Sequence, residues 1–164
     1  MRKAAADDAD TLADIHARSW EMAYHGLVPA DAIAKVSAGR PALWKRILGE
    51  GNQNDTFAVC DGGLVVGFLV VGPSRDDDTN TSTCEVISLY LSPLQFGKGF
   101  GNLAIRHAVT YAAELGYRAI TLWVLEKNIR ARLFYEKHGF FFDGSRKQII
   151  IGEPMYELRY MRTL

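Results

Sequence analysis

Apolar positions along this chain recur with two different periods, and the places where the period changes divide it into elements. Leu12, Ile15, Ser19 and Met22 return every three or four residues, which predicts a helix over 8–24. Asp7, Asp8 and Asp10 put negative charge at its start, and Gly26 and Pro29 end it. Residues 2–5 read as a short strand before it. Residues 30–36 and 41–48 read as helices broken near Gly39-Arg40-Pro41, and 49–55 as a polar loop. Period two then takes over: 56–60 reads as a strand, Asp61-Gly62-Gly63 as a hairpin turn, and 64–71 as a strand apolar on both faces. The Asp- and Thr-rich run 72–82 is the best candidate for disorder. Residues 83–91 form the central strand. A helix follows over 102–115, with Leu103, His107, Tyr111 and Leu115 spaced by four and Gly116 as its stop. His107 on that stripe reads as a core residue. A strand at 119–124, a short helix at 128–138, and strands at 140–142, 148–151 and 154–161 complete the chain. The strand–helix–strand unit from 83 to 124 makes its two strands parallel.

Composition narrows this picture. A length of 164 residues, 48% of them hydrophobic and 23% charged, suits one globular domain with a real core. Nineteen basic residues balance nineteen acidic ones, so the basic excess of a nucleic-acid binder is missing. No apolar run reaches the length of a membrane span and the N-terminus has no signal-peptide core, so the chain reads as cytoplasmic, with no membrane partner. Cys60 and Cys84 fall in strand-like runs, read as buried thiols, and no metal spacing occurs.

The chemistry concentrates where the central strand ends. Pro93-Leu94-Gln95-Phe96-Gly97-Lys98-Gly99-Phe100-Gly101-Asn102 carries three glycines at alternate positions and opens a helix. Glycines let backbone approach a ligand, and the unpaired N–H groups of a helix's first turn suit a phosphate or pyrophosphate. Neither the P-loop nor the G-x-G-x-x-G pattern fits, since no Gly-Lys-Ser/Thr follows and the third glycine comes one residue early. A bare tight turn is the plainer alternative.

A second stretch makes the first specific. Asn128-Ile129-Arg130-Ala131-Arg132-Leu133-Phe134-Tyr135-Glu136-Lys137-His138-Gly139-Phe140 resembles the N-x-x-A-x-x-F-Y-E-K-x-G-F segment of the Gcn5-related N-acetyltransferase (GNAT) superfamily. The glycine stretch resembles that family's acyl-CoA pyrophosphate loop, Q/R-x-x-G-x-G/A, except that Phe96 stands at the Gln/Arg position, with Gln95 one residue early. The resemblance spans essentially the whole chain. It implies an α/β fold: a mixed, mostly antiparallel sheet with a central, splayed parallel pair and flanking helices. It also implies a single acetyltransferase domain over 1–164, in which helices at about 8–48 cover the acceptor and 56–164 binds acyl-CoA.

Site residues follow from the same resemblance. Pantetheine would lie between the splayed strands, bonded by the backbone of Leu91, with the N–H of Leu89 serving as oxyanion donor. The N–H groups of Phe96, Gly97, Lys98, Gly99, Phe100, Gly101 and Asn102 would take the pyrophosphate. Asn128 would contact the cofactor, and Arg130 and Arg132 would reach toward its phosphates. Glu85 occupies the general-base position of several members, with Glu21 a weaker second. Tyr135 matches the tyrosine that protonates the departing thiolate. Ser19-Trp20-Glu21-Met22-Ala23-Tyr24-His25-Gly26-Leu27-Val28-Pro29 resembles the acceptor-covering segment of bacterial members, making Trp20, Tyr24 and Glu85 acceptor contacts and His25 a weaker candidate beside a plain solvated helix end. The implied activity is acetyl transfer from acetyl-CoA, as co-substrate and with no metal, to a primary amine of a small molecule or peptide in one ternary complex. A non-catalytic acyl-CoA-binding module is the alternative, disfavoured by the presence of both Glu85 and Tyr135. A homodimer, as in many relatives, stays open.

Overall fold

The two periods resolve into seven strands and five helices in the computed structural model, which describes residues 1–49 and 53–164. Positions 50–52 of the expected polar loop lie outside the described residues. Strands β1 (Arg2–Lys3), β2 (Asp55–Asp61), β3 (Leu64–Pro73), β4 (Thr83–Leu91), β5 (Ala119–Leu125), β6 (Phe141–Ile151) and β7 (Glu153–Thr163) form one sheet, ordered β1-β2-β3-β4-β5-β7-β6. Every neighbouring pair is antiparallel except β4 with β5, which are parallel. The helices are α1 (Ala9–Tyr24), α2 (Ala30–Ala38), α3 (Arg40–Ile47), α4 (Phe100–Glu114) and α5 (Ile129–Lys137).

The apolar residues explain the layering. Leu12, Trp44, Phe68 and Val70 pack α1 and α3 on one face of the sheet. Ile105, Ala108 and Ala112 of α4 pack on the other, against Val86, Ile120 and Leu122. With both faces covered, β3 is buried almost end to end, as its unbroken apolar run requires. Helices α4 and α5 each end in a Schellman turn. Tyr117 N–H reaches Ala112 O at 3.0 Å around Gly116, and Phe140 N–H reaches Tyr135 O at 3.1 Å around Gly139.

The break between α2 and α3 falls at Gly39, inside the expected stretch, and Pro41 is accepted in the first turn of α3 because that turn's N–H groups have no intrahelical partner to lose. Two features differ from the pattern-based expectation. β6 is one strand, not two. The residues between the two expected strands are absorbed as a bulge opposite a continuous β7, with Gly144 at φ +98°. The loop after β3, expected to be disordered, is fastened instead. Arg75, Asp76 and Asp78 all bond to residues of the sheet.

The most consequential irregularity is a bulge where β3 meets β4. Val71 pairs with Val86 and Val70 with Ser88, so Ile87 is the extra residue. Alternation flips across it. Cys84 and Val86 face α4 before the bulge, and Leu89 faces α4 after it, while Tyr90 turns to the α1 side.

Candidate active site

The parallel pairing of β4 and β5 runs from Thr83↔Ala119 to Val86↔Leu122 and then stops, although both strands continue. Beyond that point they part around a cavity of about 560 Å³. Its walls come from the end of β4, the end of β5, the start of α4, the inner side of α5 and the last turn of α1. This is the crevice that a sheet offers at the carboxyl ends of parallel strands.

Backbone donors line it. Ser92 N–H bonds to Val66 O at 2.8 Å, and strand alternation therefore turns the N–H groups of Leu89 and Leu91 away from β3, into the gap. Leu91 O on that side accepts from Ser19 Oγ at 2.6 Å, which ties α1 to the lip of the cavity. At the far end, Gly97 and Gly99 sit at φ +79° and +90°, and an added Cβ at either would meet nothing within 4 Å. Conformation, not space, demands glycine at these two positions. Gly101 is different, since a Cβ there would press on the Phe134 ring at 3.3 Å.

The turn uses two of the seven donors expected to face a pyrophosphate. Phe96 N–H bonds to Pro93 O at 3.3 Å and Lys98 N–H to Gln95 O at 3.4 Å. The N–H groups of Gly97, Gly99, Phe100, Gly101 and Asn102 have no partner among the described residues. Phe96 instead provides a platform for Arg130, whose guanidinium lies 4.5 Å from its ring centre. Lys98 is exposed beside the turn. Gln95 does not reach out; its Oε1 is buried without a partner. Asn128 caps α5, accepting from Ala131 N–H at 3.1 Å, which leaves its amide N–H₂ for the cavity.

Tyr135 lines the cavity, and burial raises its phenol pKa, with the neighbouring Tyr90 adding to the effect. The hydroxyl therefore keeps its proton across the working range and has a hydrogen to donate. Tyr24 also lines the cavity, its OH 3.1 Å from that of Tyr90, and burial pushes both phenols upward.

Several expected residues are placed elsewhere. Glu85 lies in the closed, paired part of β4, opposite Thr121, and does not line the cavity. It is 1% exposed, and Arg75 holds it through Nη2 at 2.5 Å, Nε at 3.0 Å and the backbone N–H at 3.2 Å. Glu85, expected as general base and acceptor contact, is therefore placed outside the cavity lining, with both carboxylate oxygens engaged by Arg75. Glu21 faces solvent on the outer side of α1 and is not a lining residue either. Trp20 is buried behind the wall, donating from Nε1 to Tyr90 OH at 3.0 Å, so it supports the acceptor side without lining it. Arg132 turns away to Tyr160 OH and Glu126 O. His25 does line the mouth, exposed at the end of α1.

Pattern reading missed Tyr90 and Trp123, which both line the cavity. Nothing in a strand's apolar run separates a ring facing a cleft from one facing a core. Cys84 is buried and its thiol is pushed up to about 11, mainly by desolvation, so it is no nucleophile at neutral pH. No metal-binding cluster exists among the described residues, and no helix among them is long and apolar enough to cross a membrane.

Comparison with known proteins gives one consistent result. The model of the acetyltransferase (GNAT) family matches residues 11–140. An uncharacterised N-acetyltransferase of Bacillus subtilis, YuaI, is 25% identical, aligned over all of this chain and 96% of its own length. Another uncharacterised N-acetyltransferase, from Mycobacterium bovis, is 32% identical over 85% of this chain and 86% of its own. Among solved structures, the PaiA N-acetyltransferase of Thermoplasma acidophilum in complex with coenzyme A superimposes with a TM-score of 0.79 at 19% identity, covering 99% of this chain and 97% of that one.

Proposed function

Because the chain belongs to the acetyltransferase (GNAT) family, we propose that it moves an acetyl group from acetyl-CoA directly to a primary amine of a small molecule or peptide, in a single ternary complex. The observation that carries this reading is the set of five unpartnered N–H groups, at Gly97 and from Gly99 to Asn102, gathered at the start of α4, whose Gly101 lines the cavity between β4 and β5. A helix start with free donors fits a pyrophosphate, and an extended gap with the free backbone edge of Leu89 and Leu91 fits a pantetheine arm.

Acetyl-CoA supplies a thioester, whose acyl carbon is open to attack by a neutral amine. The chain's residues act around that carbon. The Leu89 N–H, on the free edge, is set to donate to the carbonyl oxygen as negative charge builds there. The Tyr135 hydroxyl is set to give its proton to the sulfur as the carbon–sulfur bond breaks. Asn128, through its amide N–H₂, and Arg130, beside Phe96, hold the donor. With Glu85 committed to Arg75, the amine's proton passes to water in the open mouth of the cleft. The inert Cys84 supports direct transfer over an acyl-enzyme. In this division of labour the helices of 8–48 cover the acceptor and residues 56–164 hold acyl-CoA. The free thiols Cys60 and Cys84 fit a cytoplasmic setting. β6, an edge strand of the sheet like β1, is a long edge at which a second copy would have room to add.

Titration calorimetry with acetyl-CoA tests the reading. Micromolar binding that unlabelled CoA competes away, together with amine-dependent thiol release, supports it. A folded sample that binds no acetyl-CoA sinks it. Binding without thiol release from any amine favours the non-catalytic module instead.

A further inference from the structure

Trp123 stands on β5 with its ring in the cavity wall, and an ionic cluster outside the proposed chemistry holds it there. Its Nε1 donates to both oxygens of Asp76, at 3.1 and 3.0 Å. Asp76 belongs to the loop after β3. Arg159, the cross-strand neighbour of Trp123 on β7, binds that loop through Asp76 at 3.2 Å and Asp78 at 2.5 Å. The same guanidinium also bonds Asp143 on β6 at 2.7 Å and Ser145 Oγ at 2.7 Å. The Arg159 side chain is only 9% exposed, so three carboxylates converge on a guanidinium largely out of water. The Lys147 ammonium lies 3.8 Å from the Trp123 ring centre and covers part of the indole.

Two chemical consequences follow. The indole has one hydrogen-bond donor, and Asp76 consumes it, so Trp123 offers the cleft ring surface alone. Around it the acceptor side adds Met22, Leu27 and Ile87, and Tyr24, whose hydroxyl is engaged with Tyr90. No Asp or Glu lines the cavity among the described residues; its charged or chargeable nitrogen side chains are His25, Lys127 and Arg130. A second ammonium on the acceptor would find no carboxylate in the lining, and Glu157, whose charge reaches Tyr24 and Tyr90 from behind it, is already paired with Lys147 at 3.5 Å, whereas an apolar chain would find surface to cover.

We propose that Trp123 is the specificity-determining residue for the acceptor, selecting an amine carried on an apolar body, and that Asp76 and Arg159 are positioning residues that hold its indole in the cleft wall. The proposal rests on the acetyltransferase reading and names the substrate class of that same site.

Steady-state kinetics with saturating acetyl-CoA and three amines tests it: hexylamine, ethylamine and 1,6-diaminohexane. Hexylamine against ethylamine isolates the apolar body, and hexylamine against the diamine isolates a second charge at equal length. The wild type is expected to favour hexylamine in kcat/KM by about tenfold or more over each of the others. Trp123→Ala is expected to bring the hexylamine to ethylamine ratio within about threefold, with acetyl-CoA affinity by calorimetry unchanged, and Trp123→Phe to keep most of the preference. Asp76→Asn is expected to raise the hexylamine KM several-fold with little change in kcat, a split that general loosening of the fold does not produce. If Asp76→Asn does not fold, the two Trp123 variants decide. A preference for the diamine, or a ratio unmoved in Trp123→Ala, overturns the proposal. So does acetyl-CoA binding with none of the three amines acetylated, which leaves the donor site standing. Absent acetyl-CoA binding by folded wild type removes the acetyltransferase reading itself.

Discussion

Glu85 and Tyr135 were both expected to move protons, and their surroundings separate them. Glu85 is sealed into the sheet with Arg75, whose guanidinium pKa its carboxylate raises. Glu85→Gln should therefore leave the pH dependence of kcat/KM in place, and the loss of the acidic limb in that variant would restore Glu85 as the base. Arg75→Ala should instead destabilise the protein by about 1–3 kcal/mol, since it strands a buried carboxylate, as read by the urea midpoint. Tyr135 faces the cleft with its proton held by burial. Tyr135→Phe keeps the ring packed on Phe134 and removes the donor. Its kcat should fall by about 10²-fold with acetyl-CoA affinity intact. An unchanged kcat would mean that the thiolate leaves without an acid. Motif matching singled out both residues with equal force, because a motif records identity and position, and the partner that decides the role comes from another part of the chain.

At the scale of the element, α4 shows how one helix serves two ends differently. Gly99 before its first turn and Gly116 after its last both have positive φ, +90° and +84°. Either Gly→Ala change should cost about 1–2 kcal/mol for the left-handed backbone. Only Gly99→Ala should also weaken acetyl-CoA binding, by about tenfold, because its backbone aims the free N–H groups. Calorimetry on the two variants checks this, and equal effects on affinity would show that the cradle does not depend on its turn. The bulge at Ile87 is the counterpart on the strand side. Without it Tyr90 would face α4, and the Trp20–Tyr90–Tyr24 hydroxyl cluster could not form. Hydrophobic pattern predicts that residues 83–91 form a strand, but a bulge adds one residue without changing that pattern's length or character.

The whole molecule carries a pH dependence that no motif announces. His16 of α1 is buried beneath Trp44, whose Nε1 donates to its Nδ1, and stacks near Phe68 and Tyr90. Desolvation, helped by the Arg40 charge, holds its pKa down to about 3. The unfolded chain takes up this proton near pH 6.5, and the folded one does not. Stability is therefore complete above about 6.5 and falls as pH drops toward about 3, by about 2 kcal/mol between pH 7 and 5. His16→Gln should lose that slope in urea titrations at the two pH values. A slope unchanged in the variant would assign it to other groups. Beyond this, the periods of apolar residues determined which segments are helix or strand, the βαβ unit determined the parallel pair, and the two motif stretches marked the donor side. Those features are local, set by backbone propensity, glycine conformation and residues a turn or two apart. Tertiary structure alone decided that Glu85 is shut away, that Trp20 supports while Tyr90 and Trp123 line the cleft, and that the Asp-rich loop is fastened by Arg159. Each depends on partners up to 83 positions apart in the chain, whose meeting is set by strand order and register, and these emerge only when the sheet closes on its core.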